Sequence, residues 1–112
     1  MVRQGDIIKL DFSPVVGSEQ GGYRPAVVVS NDFIISKTNM VYVAPITGTV
    51  RPGFPLHVAL DNRTQTTGDI LCEQVKAIDI GKRAYKVVER VPEDILERVL
   101  DCIIGCFNTI GG

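Results

Sequence analysis

At Val91 the hydrophobic rhythm of the chain changes from that of strands to that of a helix. Beyond it, Ile95, Leu96, Val99, Leu100, Ile103 and Phe107 recur at spacings of three and four, and Glu93, Asp94, Glu97, Arg98 and Asp101 fall on the other side. This is the single apolar stripe of a surface helix. Pro92 suits its first turn, where a missing N–H costs nothing, and two acids there complement the helix dipole. Before Val91 the apolar runs are short and are separated by Gly, Pro, Asn and Asp. Gly5 to Phe12 alternates, with Ile8, Leu10 and Phe12 facing one way and Lys9 and Asp11 the other, as a half-buried strand does. Pro25–Ser30 and Val41–Ile46 are mostly apolar, the pattern of strands covered on both faces. Leu56–Leu60, Ile70–Val75 and Tyr85–Val91 complete the set. The order predicts a mainly β fold, a small barrel or strongly bent antiparallel sheet, with a C-terminal helix closing one flank.

The 112 residues predict one domain spanning 1–112. A composition 45% hydrophobic and 22% charged excludes a disordered tail, and no apolar run approaches the ~20 residues that span a bilayer. Arg3, Gln4 and Asp6 follow Met1 where a secretory signal would be apolar, and the three cysteines are an odd number, so reduced thiols in a cytoplasmic protein are expected. Cys102 and Cys106 would share a helix face as paired zinc ligands do, but His57 is the only histidine and neither CxxC nor HxxxH occurs. Packing thiols and no metal site are the expectation. The net charge of −1 excludes a bulk nucleic-acid coat but not a local anion site. Residues 1–88 carry ten basic and eight acidic side chains, and residues 89–101 two and five. Anion binding is therefore expected in the first four-fifths.

The segment best suited to chemistry is Gly17-Ser18-Glu19-Gln20-Gly21-Gly22-Tyr23-Arg24-Pro25. Its glycines allow backbone N–H groups to approach a ligand, and Arg24 stands where the chain enters a buried strand. A guanidinium held there matches two phosphate oxygens and stays charged at every working pH. The plainer alternative is a flexible hairpin loop with an exposed charge. Thr47, ending Pro45-Ile46-Thr47-Gly48, could meet the same phosphate. In Leu71-Cys72-Glu73-Gln74-Val75 a strand would turn Glu73 and Gln74 to opposite faces, so that only one points inward.

The run from Gly5 to Asp32, GDIIKLDFSPVVGSEQGGYRPAVVVSND, resembles the signature of the MazF/PemK family of toxin endoribonucleases, the mRNA interferases. The likeness continues through VAPIT, Val43–Thr47, and LCEQVKAID, Leu71–Asp79, in the family's order. It is weakest over Thr49–Gly68, a stretch shorter than in Gram-positive relatives. The resemblance implies an SH3-like β-barrel of the CcdB/MazF/Kid type with a C-terminal helix, assembled as a homodimer. It implies a toxin of a type II toxin–antitoxin system that cleaves single-stranded mRNA sequence-selectively without cofactor or metal. Its partner would be a MazE-like antitoxin laying an acidic segment over the RNA groove, the complex binding DNA. By motif position the catalytic arginine falls on Arg24 and the catalytic threonine on Thr47. Ser18, Glu19 and Gln20 fall among residues that shape the RNA site, with Gln74 as a further contact; some relatives read a UAC-containing site.

Metal-free cleavage of RNA uses the adjacent 2′-OH as nucleophile and leaves a 2′,3′-cyclic phosphate and a 5′-OH end. A fixed guanidinium and hydroxyl at the phosphoryl oxygens would stabilise charge that develops only during reaction. Arg24 would supply the main electrostatic stabilisation and could assist proton transfer, although arginine is a poor base at neutral pH; Glu19 is the one carboxylate in the motif, and the identity of the general base stays open. Tyr23 is expected to stack on a base or to pack on the barrel, and His57 reads as a strand residue. Two other classes compete. A CcdB-like gyrase-binding poison uses a C-terminal tryptophan, whereas this chain has none and ends in Asn108-Thr109-Ile110-Gly111-Gly112. An SH3-like interaction module needs an aromatic groove, for which seven Phe and Tyr are few.

Overall fold

The computed structural model describes residues 1–110. Gly111 and Gly112, at the end of the tail just quoted, lie outside the described residues. Seven strands form one sheet: β1 (Asp6–Asp11), β2 (Tyr23–Val28), β3 (Met40–Thr47), β4 (His57–Ala59), β5 (Asp69–Leu71), β6 (Lys76–Asp79) and β7 (Tyr85–Arg90). Helix α1 (Asp32–Lys37) links β2 to β3, and α2 (Glu93–Phe107) follows β7. Every ladder is antiparallel, in the order β4-β5-β3-β2-β1-β7.

Strand β3 is the spine. Its first half pairs with β6, its second half with β5, and its other edge with β2. Because successive side chains of a strand point to opposite faces, β1, β2 and β3 feed two cores at once. Ile7, Val27, Ala44 and Ile46 meet Ile95 and Val99 of α2 on one side. Ile8, Leu10, Phe12, Ala26, Val28, Val41 and Val43 meet Ile78 on the other. The apolar reading of β2 and β3 as covered on both faces is borne out. So is a mainly β fold of the expected class with α2 packed on its flank.

The ladder is an open path rather than a closed ring, and side chains bridge its ends. The Glu89 carboxylate on β7 accepts from the N–H groups of Gln65 and Thr66 and from the Thr66 hydroxyl, at 2.7–3.1 Å, tying the loop before β5 to the opposite edge. Burial pushes its pKa up, but these donors outweigh burial and hold it below the usual carboxylate range. Arg63 in the same loop pairs with Asp61 and with Asp94 in the first turn of α2, both at 2.8 Å. Buried Asp6 receives Arg90 at 2.9 Å and the Arg3 N–H at 2.8 Å, fastening β1 to β7.

The structure departs from the sequence reading at three points. Ile70–Val75 is not one strand: β5 ends at Leu71, Cys72–Gln74 is a 3₁₀ turn, and β6 begins at Lys76. That turn breaks the alternation and frees Glu73 and Gln74 from opposite faces. Helix α1 was not expected, since none of its six residues is fully buried and only Ile35 packs on a core, which leaves no stripe to read. Its signal is local: Asn31 caps it by accepting from the Ile34 N–H at 2.9 Å. The apolar stripe of α2 is covered only in part, for its last member, Phe107, is 76% exposed, and Ile104 beside it 60%.

Candidate active site

Strand register brings the motif residues together. The β2–β3 ladder pairs Val28 with Val43, Val27 with Ala44 and Ala26 with Pro45. Pairing ends there, two residues short of Arg24 on β2 and of Thr47 on β3. Alternation then puts both side chains on one face, because Arg24 follows Ala26 and Val28 in phase as Thr47 follows Val43 and Pro45. Arg24 Nη1 donates to the Ile46 carbonyl, next to Thr47, at 3.3 Å.

The guanidinium is held by its own loop. Nε donates to the Gly21 carbonyl at 2.6 Å, and the Gln20 amide, when turned with its oxygen toward the guanidinium, the orientation that satisfies both groups, accepts from Nη1 at 3.1 Å and Nη2 at 3.0 Å. Of the five guanidinium hydrogens this leaves one on Nη2 without a protein acceptor. The Gly17–Pro25 loop is therefore no floppy hairpin. Gln74 braces it further: its Oε1 accepts from the Gln20 N–H at 2.8 Å and its Nε2 donates to the Ser18 carbonyl at 3.4 Å. Gln74 thus spends its amide on the loop.

Thr47 is 7% exposed, and its Oγ1 accepts from the Thr49 N–H at 3.1 Å. It borders a recess of about 310 Å³ shared with Ser18, Gln20, Arg51, His57, Glu73 and Gln74. A neighbouring recess of about 230 Å³ lies between Glu19, Gln20, Glu73, Gln74 and Lys76. Both Glu73 and Gln74 therefore line the site, because the 3₁₀ turn carries them there together. The two acids differ in setting. Glu19 turns Oε1 back onto the Val16 N–H at 3.0 Å, whereas Glu73 shares the recess with Thr47.

Tyr23 is not brought to this recess. It is out of phase with Arg24 on β2, across from Asp11, and 65% exposed. His57 does belong to β4, but its side chain is only 6% exposed and enters the recess, with Nε2 3.2 Å from Glu73 Oε2. The sequence reading passed over His57 and Arg51 as recess neighbours of Thr47, and offered Glu73 only as an alternative to Gln74. The faint signal was His57 as an interruption in an otherwise apolar short strand.

The cysteines lie elsewhere. Cys72 is buried, and burial first, then the neighbouring Cys102 thiol, pushes its pKa well above the thiol range. Among the described residues no three His, Cys, Asp or Glu side chains are grouped as metal ligands, and no helix is long and apolar enough to cross a membrane.

Comparison with known proteins agrees with this architecture. The structure of MazF (form I) from Deinococcus radiodurans superposes with a TM-score of 0.87 at 27% identity, over 96% of this chain and 97% of that one. A MazE–MazF structure (form II) from the same organism gives 0.79 at 28% identity, over 94% of each chain. An endoribonuclease in complex with its cognate antitoxin from a mycobacterial species gives 0.76 at 18% identity, over 97% of this chain and all of that one, a likeness of fold alone. The profile of PemK-like, MazF-like toxins of type II toxin–antitoxin systems matches residues 3–107, and the chain belongs to that family.

Proposed function

We propose that this toxin is a sequence-selective endoribonuclease that cleaves single-stranded mRNA without a metal ion. The observation that carries the reading is the contact of the Arg24 guanidinium with the Ile46 carbonyl, next to Thr47 and beside a recess open to a ligand. The 2′-oxygen forms its bond to phosphorus as the bond to the 5′-oxygen breaks. The proton lost by the first is balanced by the one gained by the second, and the products are a 2′,3′-cyclic phosphate and a 5′-OH. Arg24, prevented from collapsing by Gln20 and Gly21, presents its remaining Nη2–H and its charge to the phosphoryl oxygens as negative charge builds there. The Thr47 hydroxyl accepts from the backbone, so its own hydrogen is left for the scissile phosphate.

Two features support the partners. Ile104 and Phe107 of α2 edge an apolar groove with Val29, Tyr42 and Ala77, a face suited to a second copy of the chain. The recess cations Arg51 and Lys76, with Arg24, suit an antitoxin's acidic segment as well as RNA.

The test is a defined single-stranded RNA incubated with purified protein in EDTA. The wild type should yield 5′-OH ends, and Arg24→Ala should cleave slower by about 10²–10³-fold with an unchanged circular dichroism spectrum. Cleavage by Arg24→Ala at the wild-type rate, or activity that requires added Mg²⁺, would falsify the assignment.

A further inference from the structure

The side of the recess facing Thr47 is built from groups that the cleavage chemistry leaves unused. His57 opens β4 across from Leu71, so its ring lies beside the 3₁₀ turn that carries Glu73. The ring is nearly sealed, with its side chain 6% exposed. Nε2 meets Glu73 Oε2 at 3.2 Å, whereas Nδ1 stands 3.7 Å from Asp69 Oδ2, beyond hydrogen-bond reach, and has no partner. The ring hydrogen therefore belongs on Nε2, which donates to Glu73.

The imidazole is also fixed in orientation. Phe54 lies against it with ring centroids 4.5 Å apart, and the Arg51 guanidinium covers Phe54 at 4.4 Å. Asp69 is pinned in turn by the Arg51 N–H at 3.0 Å. Each group thus limits the next, and the chain of contacts ends on one carboxylate. Glu73 Oε2 is committed to His57, and Oε1 accepts nothing among the described residues. The neighbouring Gln74 amide is already spent on Gln20 and Ser18. The recess accordingly offers RNA one fixed, charged acceptor.

We infer that His57 is a positioning residue that aims Glu73, and that the free Glu73 oxygen accepts from the exocyclic amino group of a base bordering the cleaved phosphate. This rests on the nuclease reading above and adds a base preference to it. Cytosine and adenine present an amino group that can donate there, whereas uracil presents a carbonyl oxygen that the carboxylate repels. Guanine would engage a carboxylate through two parallel donors, and one oxygen is already held by His57. The recess therefore selects cytosine or adenine against uracil.

The experiment uses short single-stranded RNAs sharing one cleavable core. At each position beside the cut the base is cytosine, uracil, adenine, or purine with hydrogen in place of the amino group. At one position the wild type should favour the amino-bearing base by about ten- to hundredfold, the scale of a hydrogen bond to a charged group. Glu73→Gln should flatten that preference, and so should His57→Ala. His57→Gln, whose amide nitrogen reaches the place of Nε2, should restore most of it. Circular dichroism distinguishes a misfolded His57→Ala, and Glu73→Gln carries the test independently. An unchanged preference in Glu73→Gln overturns the inference and leaves the nuclease reading standing. A uniform loss of rate on all bases, the signature of a proton acceptor, overturns it as well. Failure of the wild type to cut any RNA removes the nuclease reading and this inference together.

Discussion

At the scale of single residues, Gly68 shows how tightly the site is set. Its φ is +121°, and a Cβ there would strike the Thr47 carbonyl oxygen. Backbone cannot step aside as a flexible side chain can, so Gly68→Ala must push β3 away at Thr47. The expected outcome is a loss of more than about 1 kcal/mol of stability, because the residue also leaves an allowed conformation. A second effect is a fall in RNA cleavage of roughly tenfold or more, as small misplacements of catalytic groups are costly. Thermal unfolding and single-turnover cleavage check the two effects separately, and wild-type values for both would show that β3 tolerates the shift. Arg24 and Thr47 were legible because each sits in a contiguous motif. Gly68, His57 and Arg51 were not, and Glu73 was so only as an alternative to Gln74, since they come from separate segments that meet through the β3–β5–β4 ladders. The role of Gln74 was hidden for another reason: a braced amide and a free one look alike in sequence.

At the scale of elements, α2 and β7 hold the open sheet closed. Ile95 is fully buried in the core that α2 shares with β1, β2 and β3, so Ile95→Ala should cost about 2–5 kcal/mol in urea unfolding. The Glu89 clasp carries a pH signature as well. Its folded pKa lies below the unfolded value, so its stabilisation is present above the ordinary carboxylate range and is lost as pH falls through the folded value. Glu89→Gln should therefore be less stable than the wild type at neutral pH by about 1 kcal/mol, or roughly 4 °C in melting temperature. The gap should close in acid, where a protonated glutamate resembles glutamine, and a gap constant from neutral to acid would exclude the clasp. Elements with a strong period were readable: β1 to β3 and α2 appear close to where their apolar patterns lie. The β5–turn–β6 segment was not, because ILCEQVKAID contains no Gly, Pro or Asn to mark a break, yet Cys72–Gln74 coils into a 3₁₀ turn. The capped six-residue α1 escaped because nothing on it is fully buried.

At the scale of the whole molecule, the proposed reaction requires a chain with net charge −1 to hold a polyanion. The acids are concentrated along residues 89–101, while Arg24, Arg51 and Lys76 gather around the Thr47 recess and its neighbour. Binding on this map depends on a few local phosphate contacts rather than on a basic surface. Each contact with single-stranded RNA releases about 0.7 of a counterion, so two or three give a slope of roughly −1.4 to −2.1 in log affinity against log salt. For an RNA whose attacking 2′-OH is replaced by hydrogen, Kd should rise about seven- to twentyfold between about 50 and 200 mM KCl. Lys76→Ala should flatten the slope by about 0.7 and leave the base preference untouched, because a phosphate contact positions RNA without reading it. A slope several times steeper would place RNA on a surface other than this recess. An altered base preference in Lys76→Ala would mean that Lys76 contacts a base, and that charge and readout are not divided among separate side chains as the map requires.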